Sequence, residues 1–342
     1  IKYISNVNLD EVENCLSKFN LSLGLGVFLN IQFFQLFCFW SILINRKIAD
    51  VVIVRQSVGF VILNLLLKLF GFKVITEVNG LLYQDVLDRR KGWLAQQLVT
   101  TLERWNLELS DAIVSVHDNV KQTLTSYYGN KIGDKTYVVE NGVDLESPST
   151  PQANEPLIIG YLGSFAHREG VDYLPQVSSR LDEKGVKHEF LMIGGSDGEI
   201  EELKSRINSS QRANFKFLGY IDYKKAKVCL KSCHAFIHLR RPIKGITDSQ
   251  GCPLKTLDYL SVGRCVVATK IESYKFIEDH QLGIVVPYTD DFEADVASAI
   301  ARQFQHGFDA YYNKGQAYLE NKTWKHQIGL FDDICNKVKD GA

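Results

Sequence analysis

Short apolar runs alternate with helix-length segments from residue 46 onward, and this alternation limits the fold more than any other feature of the sequence. Ala49–Val54 and Lys73–Thr76 have the unbroken apolar character of buried strands, whereas Phe60–Phe70 and Leu94–Leu109 have the length of helices. Strands that alternate with helices form a parallel sheet that is covered on both faces. The sequence therefore predicts an α/β fold with doubly wound sheets.

The pattern restarts after Ser147–Pro156, a stretch that holds three of the seven prolines of this 342-residue chain. One hydrophobic core rarely grows beyond about 250–300 residues. Further strands are predicted at Leu157–Tyr161, His188–Ile193, Phe215–Leu218, Ala235–Leu239 and Cys265–Ala268. We predict two domains, residues 1–146 and 147–322, and a final helix within residues 323–342. Because residue 1 is Ile, the first domain is expected to lack its natural start.

Charge and cysteine content exclude several classes of protein. Lys and Arg number 39 against 40 Asp and Glu, so the chain has no basic excess with which to bind nucleic acid. Seven scattered cysteines do not form the framework of a small secreted domain, and a reducing, cytoplasmic location is expected. Cys229, Cys233 and His234 do not have the spacing of a zinc site, and no metal site is predicted.

An apolar stretch near the start raises the question of a membrane. Phe19–Asn45 contains no charged residue, and Leu21–Ile44 within it is long enough to span a bilayer as a helix. Its polar residues do not share one face, so the helix is packed into the domain, seated at a membrane interface, or spanning. We favour a packed and interfacial helix because soluble-type strands follow directly. Arg89, Arg90 and Lys91 in the same domain would suit an anionic membrane surface.

The segment from residue 240 to residue 268 is the richest in chemistry. Its first basic residues are Arg240, Arg241 and Lys244. A helix is predicted to begin at Pro253, and the free N–H groups of its first turn form a site for an anion. Lys255 lies in that turn, where the helix dipole disfavours a cation, so it either faces solvent or indicates a bound anion. Asp258, one turn later, suits the paired hydroxyls of a ribose.

Four segments, in the same order along almost the whole chain, resemble the GT-B glycosyltransferases of family 4. They are Glu140–Asp144, Ile159–Phe165 with Arg168–Val171, Phe217–Tyr220, and Pro253–Gly263. The resemblance implies a GT-B fold, in which two Rossmann-like domains face a cleft: residues 1–146 would bind the acceptor and residues 147–322 the nucleotide sugar. It also implies retaining sugar transfer from a nucleoside-diphosphate sugar, with no protein nucleophile, no cofactor and no bound metal. The final helix often crosses back to the first domain in this fold, so the resemblance implies the same for the helix within residues 323–342.

The resemblance assigns roles to individual residues of the second domain. Asp258 would hold the donor ribose, and Gln250 would lie near the donor sugar. Backbone contacts to the sugar and phosphates are expected from Gly251, Cys252, Pro253 and Leu254. Gly163 and Ser164 would approach the diphosphate. The base pocket would be lined by Gly219, Tyr220 and Ile221.

Three positions depart from the family pattern. Family members usually carry Arg near Ser164, Lys at the position of Glu169, and Glu where Gln250 stands. A carboxylate that faces a diphosphate repels it, so either Glu169 points away or donor binding is lost. We favour compensation by other cations, with Lys255 and Arg168 at the reacting phosphate. The supporting cations would be Arg240, Arg241 and Lys244.

The acceptor side is predicted from strand ends in the first domain. Arg55, Glu77 and Asn79 follow predicted strands, and so does His117; for Glu77 and His117 a capped turn is an equal alternative. We therefore expect a glycosyltransferase that acts on a lipid-linked saccharide or a surface polysaccharide at the inner face of the plasma membrane. Two alternatives stay open: a GT-B scaffold without donor chemistry that binds a partner, and a sugar-nucleotide epimerase.

Overall fold

The computed structural model describes residues 25–46, 50–56, 61–80, 93–147, 156–242, 254–306 and 310–341. The chain forms two compact units. The first unit comprises the described residues up to Glu140 together with those from Ile328 onward. The second unit comprises Asn141–Gln327.

The first unit is built on a four-stranded parallel sheet in the order β1-β2-β3-β4. The strands are β1 (Val51–Arg55), β2 (Lys73–Val78), β3 (Ala112–Ser115) and β4 (Thr136–Val138). The helices are α1 (Leu25–Ile44), α2 (Val61–Leu69), α3 (Trp93–Leu109), α4 (Asp118–Tyr128) and α5 (Asn130–Asp134). Each strand continues the sheet beside its predecessor, as expected when helices connect parallel strands.

Asp111 ties helix α2 to the sheet of the first unit. Its carboxylate lies 2.7 Å from Lys68 Nζ, at the end of α2, and accepts a hydrogen bond of 2.8 Å from the backbone N–H of Val74 in β2. Because Lys68 is in the last turn of α2, its charge also complements the helix dipole. The turn that follows passes through Gly71 at φ +81°, a left-handed conformation that favours glycine.

The second unit contains a six-stranded parallel sheet in the order β10-β9-β8-β5-β6-β7. The strands are β5 (Leu157–Leu162), β6 (His188–Ile193), β7 (Phe215–Gly219), β8 (Ala235–His238), β9 (Cys265–Thr269) and β10 (Gly283–Val286). The helices are α6 (Leu174–Glu183), α7 (Asp197–Ser205), α8 (Tyr223–Lys231), α9 (Leu254–Ser261), α10 (Lys275–Asp279), α11 (Phe292–His306) and α12 (Ala310–Leu319). The order reverses between β5 and β8, which is the topological switch point of a Rossmann-like sheet. The predicted α/β class with two Rossmann-like sheets is confirmed.

A last helix, α13 (Trp324–Asp340), begins in the second unit and ends in the first. Ile334 and Val338 of its final turns are buried in one cluster with Ile75 of β2 and Val114 of β3. Lys339 adds an ion pair of 2.7 Å with Asp50. The first unit is therefore built from two separate parts of the sequence.

Some element boundaries differ from the sequence predictions. The helix predicted over 171–184 is a 3-10 turn at Val171–Tyr173 followed by α6, because Pro175 lacks an N–H group and is tolerated only in the first turn of a helix. Helix α7 begins two residues before the predicted Glu199. Ser196 caps it, and the carboxylate of Glu199 accepts a hydrogen bond from the backbone N–H of Ser196.

Helix α1 contains no charged residue, and its buried residue Phe39 packs in a cluster with Leu63 and Leu67 of α2. Large apolar side chains on its outer side remain exposed, Phe37 by 54% and Trp40 by 61%. Across the part of the chain that the structure describes, no helix combines the length and hydropathy needed to cross a bilayer.

Candidate functional site

Three glycine-containing turns meet at the carboxyl ends of β5, β6 and β7. The N–H of Gly195 donates to the carbonyl of Gly163 at 3.1 Å, and the N–H of Gly194 donates to the carbonyl of Gly219 at 2.8 Å. A Cβ atom on Gly194 would collide with the carbonyl of Gly163, so close backbone packing requires glycine there. The predicted residues Gly163 and Gly219 are thus brought to one edge of the sheet, beside the switch point.

Lys255, in the first described turn of α9, reaches over Gly163. Its ammonium is only 2.7 Å from the place where a Cβ atom on Gly163 would lie, and Gly163 has a φ of +142°. Lys255 Nζ donates a hydrogen bond of 3.1 Å to the hydroxyl of Tyr161, which in turn donates to the carbonyl of Ser164 at 2.7 Å. The lysine is therefore fixed beside the turn where the diphosphate was predicted.

Glu169 is the nearest anion to this lysine. Its carboxylate lies 2.6 Å from Lys255 Nζ, 3.5 Å from Arg168 Nε and 3.8 Å from Arg240 Nε. Burial alone would raise the pKa of Glu169, but the hydrogen bond with His238 and the hydrogen bond and positive charge of Lys255 outweigh it and hold the pKa well below its usual range. The expected anion beside Lys255 is therefore a protein carboxylate. The carboxylate of Glu169 points inward, toward these cations.

The cations around Glu169 outnumber it. Lys255, Arg168 and Arg240 carry three positive charges against one carboxylate, which leaves two positive charges at the carboxyl ends of β5 and β8. Arg240 is buried, whereas the side chain of Arg168 is about half exposed. Burial lowers the pKa of Lys255, Glu169 counteracts this effect, and Arg240 and Arg168 reinforce it.

His238, the last residue of β8, also contacts the cluster of charges around Glu169. Its Nδ1 lies 3.0 Å from the hydroxyl of Thr256, and its Nε2 lies 2.7 Å from the hydroxyl of Tyr274 and 3.4 Å from Glu169 Oε2. Complete burial lowers the pKa of His238 to about 3. The imidazole is therefore neutral and acts as a hydrogen-bonded support.

Asp258 lies on another face of α9, in a second polar cluster. Its Oδ1 accepts a hydrogen bond of 2.6 Å from the hydroxyl of Tyr223 and lies 3.1 Å from Lys227 Nζ. Lys227 also bonds Ser261 at 2.9 Å and lies 3.7 Å from Glu146. The predicted ribose carboxylate is thus buried and held in place by α8. The base-pocket residue Tyr220 is 74% exposed, and Ile221 packs against the core.

Arg241 has a structural role in this arrangement. Its two terminal nitrogens each lie 2.7 Å from one oxygen of Asp172. Its guanidinium carbon lies over the ring of Tyr173, 4.2 Å from the ring centroid. It also donates to the carbonyl of His167. Arg241 therefore fastens the turn that carries Glu169, and the structure does not bring its charge to the carboxylate of Glu169.

The residues predicted on the acceptor side belong to the first unit. Arg55 and Glu77 are register partners at the ends of β1 and β2. The Asn79 amide bridges them when its oxygen faces Arg55, 2.8 Å from Nη2, and its nitrogen faces Glu77, 3.2 Å from Oε1. His117 instead caps helix α4, where its Nδ1 accepts from the N–H of Asn119 at 3.1 Å. This is the capped-turn alternative for His117.

Some predicted positions lie outside the described residues. They are Lys244, Gln250, Gly251, Cys252, Pro253 and the run Arg89, Arg90 and Lys91. Leu254, the first described residue of α9, is about half exposed. Among the residues that are described, no group of three or more His, Cys, Asp or Glu side chains is placed to hold a metal ion.

Several site residues escaped the sequence analysis. They are Tyr161, Tyr223, Lys227, His238 and Tyr274. His238 left a signal, because a histidine within the otherwise apolar strand Ala235–Leu239 is a buried polar group that requires partners. The other four are ordinary helix and strand residues whose partners are distant in sequence.

Two family models match the chain. The model described as Glycosyltransferase Family 4 matches residues 23–147, and the model described as Glycosyl transferases group 1 matches residues 156–306. No curated protein sequence matches the chain significantly.

Solved structures that resemble this chain in fold include a synthase, a UDP complex and a galactosyltransferase. A sucrose-phosphate synthase from Thermosynechococcus elongatus has a TM-score of 0.66 at 18% identity, and the match covers 86% of this chain and 74% of the synthase chain. The Anabaena protein HepE in complex with UDP has a TM-score of 0.65 at 13% identity, with coverages of 85% and 79%. The lipopolysaccharide outer core galactosyltransferase WaaB, in its apo form, has a TM-score of 0.61 at 14% identity, with coverages of 91% and 81%. At such identities the likeness establishes the fold.

Proposed function

Because this chain is a glycosyltransferase of the GT-B type, with family matches in both of its units, we propose that it transfers a sugar from a nucleoside-diphosphate sugar to a glycan acceptor with retention of configuration. The acceptor that we propose is a lipid-linked saccharide or a growing surface polysaccharide. HepE, which resembles this chain in fold, has been crystallised with UDP and with UDP-glucose, which supports a nucleotide sugar as the donor.

One observation carries the donor proposal: Lys255, Arg168 and Arg240 lie together beside the Gly163 turn, at the switch point of the second unit. Two positive charges in excess of Glu169 match the charge of a diphosphate. The N-terminal end of α9 lies at the same edge, and its dipole favours an anion. Asp258, held by Tyr223, would receive the ribose hydroxyls through Oδ2, which makes no hydrogen bond to another described residue.

The reaction that we propose breaks the bond between the anomeric carbon and the leaving diphosphate. Lys255 and Arg168 stabilise the negative charge that develops on the phosphate oxygens as this bond lengthens. The acceptor hydroxyl attacks from the face that the diphosphate leaves, and the diphosphate takes its proton. Lysine and arginine supply the positive charge that a metal ion provides in other transferases, so we propose a metal-free reaction.

Thermal stabilisation by nucleoside diphosphates tests this proposal. Purified protein is melted with UDP, GDP, ADP or CDP, each with and without EDTA. A ligand at about 100 times its dissociation constant adds about 2.7 kcal/mol to the free energy of unfolding. We expect one nucleotide to raise the melting temperature clearly and EDTA to leave the shift unchanged. If none of the four raises it, the scaffold alternative is favoured.

We also propose that the first unit lies on a membrane surface through α1 and its neighbours. Trp40 of α1, Leu69 of α2 and Trp93 of α3 are each at least 60% exposed, and α1 packs against α2 and α2 against α3. Tryptophan is enriched where a bilayer meets water, because one part of its ring system is apolar and its N–H is polar. Helix α1 contains no charged residue, which lowers the cost of placing it among lipid headgroups.

Vesicle cosedimentation tests the membrane proposal. We expect the protein to pellet with vesicles of phosphatidylglycerol and phosphatidylcholine, and the double variant Phe37→Ser/Trp40→Ser to remain largely in the supernatant. Val228→Ser is the matched control, because Val228 is a 68% exposed apolar residue on α8 of the second unit. Equal binding by the wild type and the double variant would contradict the proposal.

A further inference from the structure

Glu169 is placed among the cations by the turn that precedes α6. Residues His167–Glu169 form a 3-10 turn, and Gly170 follows in a left-handed conformation with φ +70°. A Cβ atom on Gly170 would collide with the carbonyl of Leu239, so the turn passes directly against the end of β8. This contact directs the carboxylate of Glu169 inward, where only 7% of the residue is exposed.

The ammonium of Lys255 is held from three sides. Glu169 Oε2 accepts one hydrogen bond at 2.6 Å, the hydroxyl of Tyr161 accepts another at 3.1 Å, and the backbone of Gly163 lies against the nitrogen. An ammonium has three N–H bonds, so one donor of Lys255 has no acceptor among the described residues. A buried lysine beside two arginines would otherwise be repelled toward solvent.

We propose that Glu169 is a positioning residue for the donor diphosphate, which acts by holding the ammonium of Lys255 over the Gly163 turn. The proposal rests on the function proposed above, since it assigns the diphosphate to this cluster. It gives a buried carboxylate near an anionic ligand a supporting role, in which the negative charge of Glu169 keeps the positive charge of Lys255 in place.

The variant Glu169→Gln distinguishes this role from simple repulsion, because the two predict opposite changes in the affinity for UDP. If Glu169 only repels the diphosphate, removing its charge strengthens UDP binding. If it positions Lys255, the affinity for UDP falls about tenfold, measured by isothermal titration calorimetry at pH 7. The matched control is Glu278→Gln, which removes the same charge from a half-exposed pair with Lys270 in the same unit.

The pH dependence of UDP affinity is a second measurement, and a purely structural role of Glu169 would leave it unchanged. The described groups around Lys255 are Glu169, Tyr161, Arg168, Arg240 and His238, and the charge and hydrogen bond of Glu169 raise the pKa of Lys255. Without that carboxylate, Lys255 loses its proton at lower pH. We expect the alkaline loss of UDP affinity to begin about one pH unit lower in Glu169→Gln than in the wild type.

The double variant Glu169→Gln/Lys255→Met shows whether Glu169 acts through Lys255. It removes both charges of the Lys255–Glu169 pair, so neither of these two groups is left charged without the other, and it is the safer variant to fold. We expect it to bind UDP as Lys255→Met alone does, because interactions within one unit of function are not additive. A further loss beyond Lys255→Met, or tighter UDP binding by Glu169→Gln, would overturn the positioning role while leaving the proposed transfer intact. A wild type that binds none of the four nucleoside diphosphates would remove the proposed function and this role together.

Discussion

Replacing Gly163 by alanine should damage the second unit for two reasons that the structure separates. Gly163 has a φ of +142°, where a side chain is strained, and such a residue costs about 1–3 kcal/mol. An added Cβ would also lie 2.7 Å from Lys255 Nζ. Ordinary contact requires about 3.5 Å, so the ammonium must move by about 0.8 Å, away from the position in which Glu169 holds it.

We expect Gly163→Ala to lower the free energy of unfolding by about 2–4 kcal/mol. For a domain of this size each kcal/mol shifts the melting temperature by about 2–4 °C, so differential scanning calorimetry should show a drop of about 4–16 °C. UDP binding should weaken with it. The double variant Gly163→Ala/Lys255→Ala keeps the backbone strain but has no ammonium to displace. Gly163→Ala should therefore lower the free energy of unfolding by less in the Lys255→Ala background than in the wild type.

Gly198→Ala is the control for this experiment. Gly198 lies in the first turn of α7 in the same unit, and an added Cβ there has no atom within 4 Å. Alanine in a helix reduces the entropy of the unfolded chain, so the free energy of unfolding should stay unchanged or rise by up to about 1 kcal/mol. If Gly163→Ala behaves like Gly198→Ala, the reasoning about the Gly163 turn is wrong.

Three further predictions address individual side chains. Asp258→Ala should weaken UDP binding by calorimetry, and an unchanged affinity would contradict the ribose assignment. Lys255→Ala should reduce sugar transfer by about 10²-fold, measured as release of the nucleoside diphosphate, because a charge that stabilises the leaving group is lost; a rate close to wild type would exclude that role. His238 has a pKa lowered to about 3, against about 6.5 in an unfolded chain, so its contribution to stability is complete above about pH 6.5 and declines as the pH falls toward 3. Between pH 7 and pH 5 this loss amounts to about 2 kcal/mol, and denaturant unfolding of His238→Gln should lack it.

The sequence analysis succeeded where the evidence was local. Continuous apolar runs such as Cys265–Ala268 indicated parallel strands, and the structure has β9 there. Proline and glycine marked turns, and Gly71 follows α2 as expected. The start of α7 was predicted two residues late because the capping role of Ser196 was overlooked.

The sequence did not reveal the partners of the charged residues. The sequence suggests a bound anion beside Lys255, whereas the anion that the structure places there is Glu169, which is 86 residues away in the chain and stands out in the sequence only as a departure from the family pattern. Arg241 was counted with the donor-binding cations, whereas its pair with Asp172 depends on how two loops meet. Such pairs follow from the tertiary fold and leave no periodic trace in a sequence.

Helix α13 has a consequence for the order in which the chain folds during synthesis. The second unit is one continuous stretch, Asn141–Gln327, whereas the first also needs residues from Ile328 onward. Ile334 and Val338, which are buried against Ile75 and Val114, are translated after the whole of the second unit. The unit that is translated first is therefore completed after the unit that is translated second, and until then the surface that α13 covers is exposed. Premature termination after residue 327 would leave the second unit whole and the first unit open to chaperones and proteases.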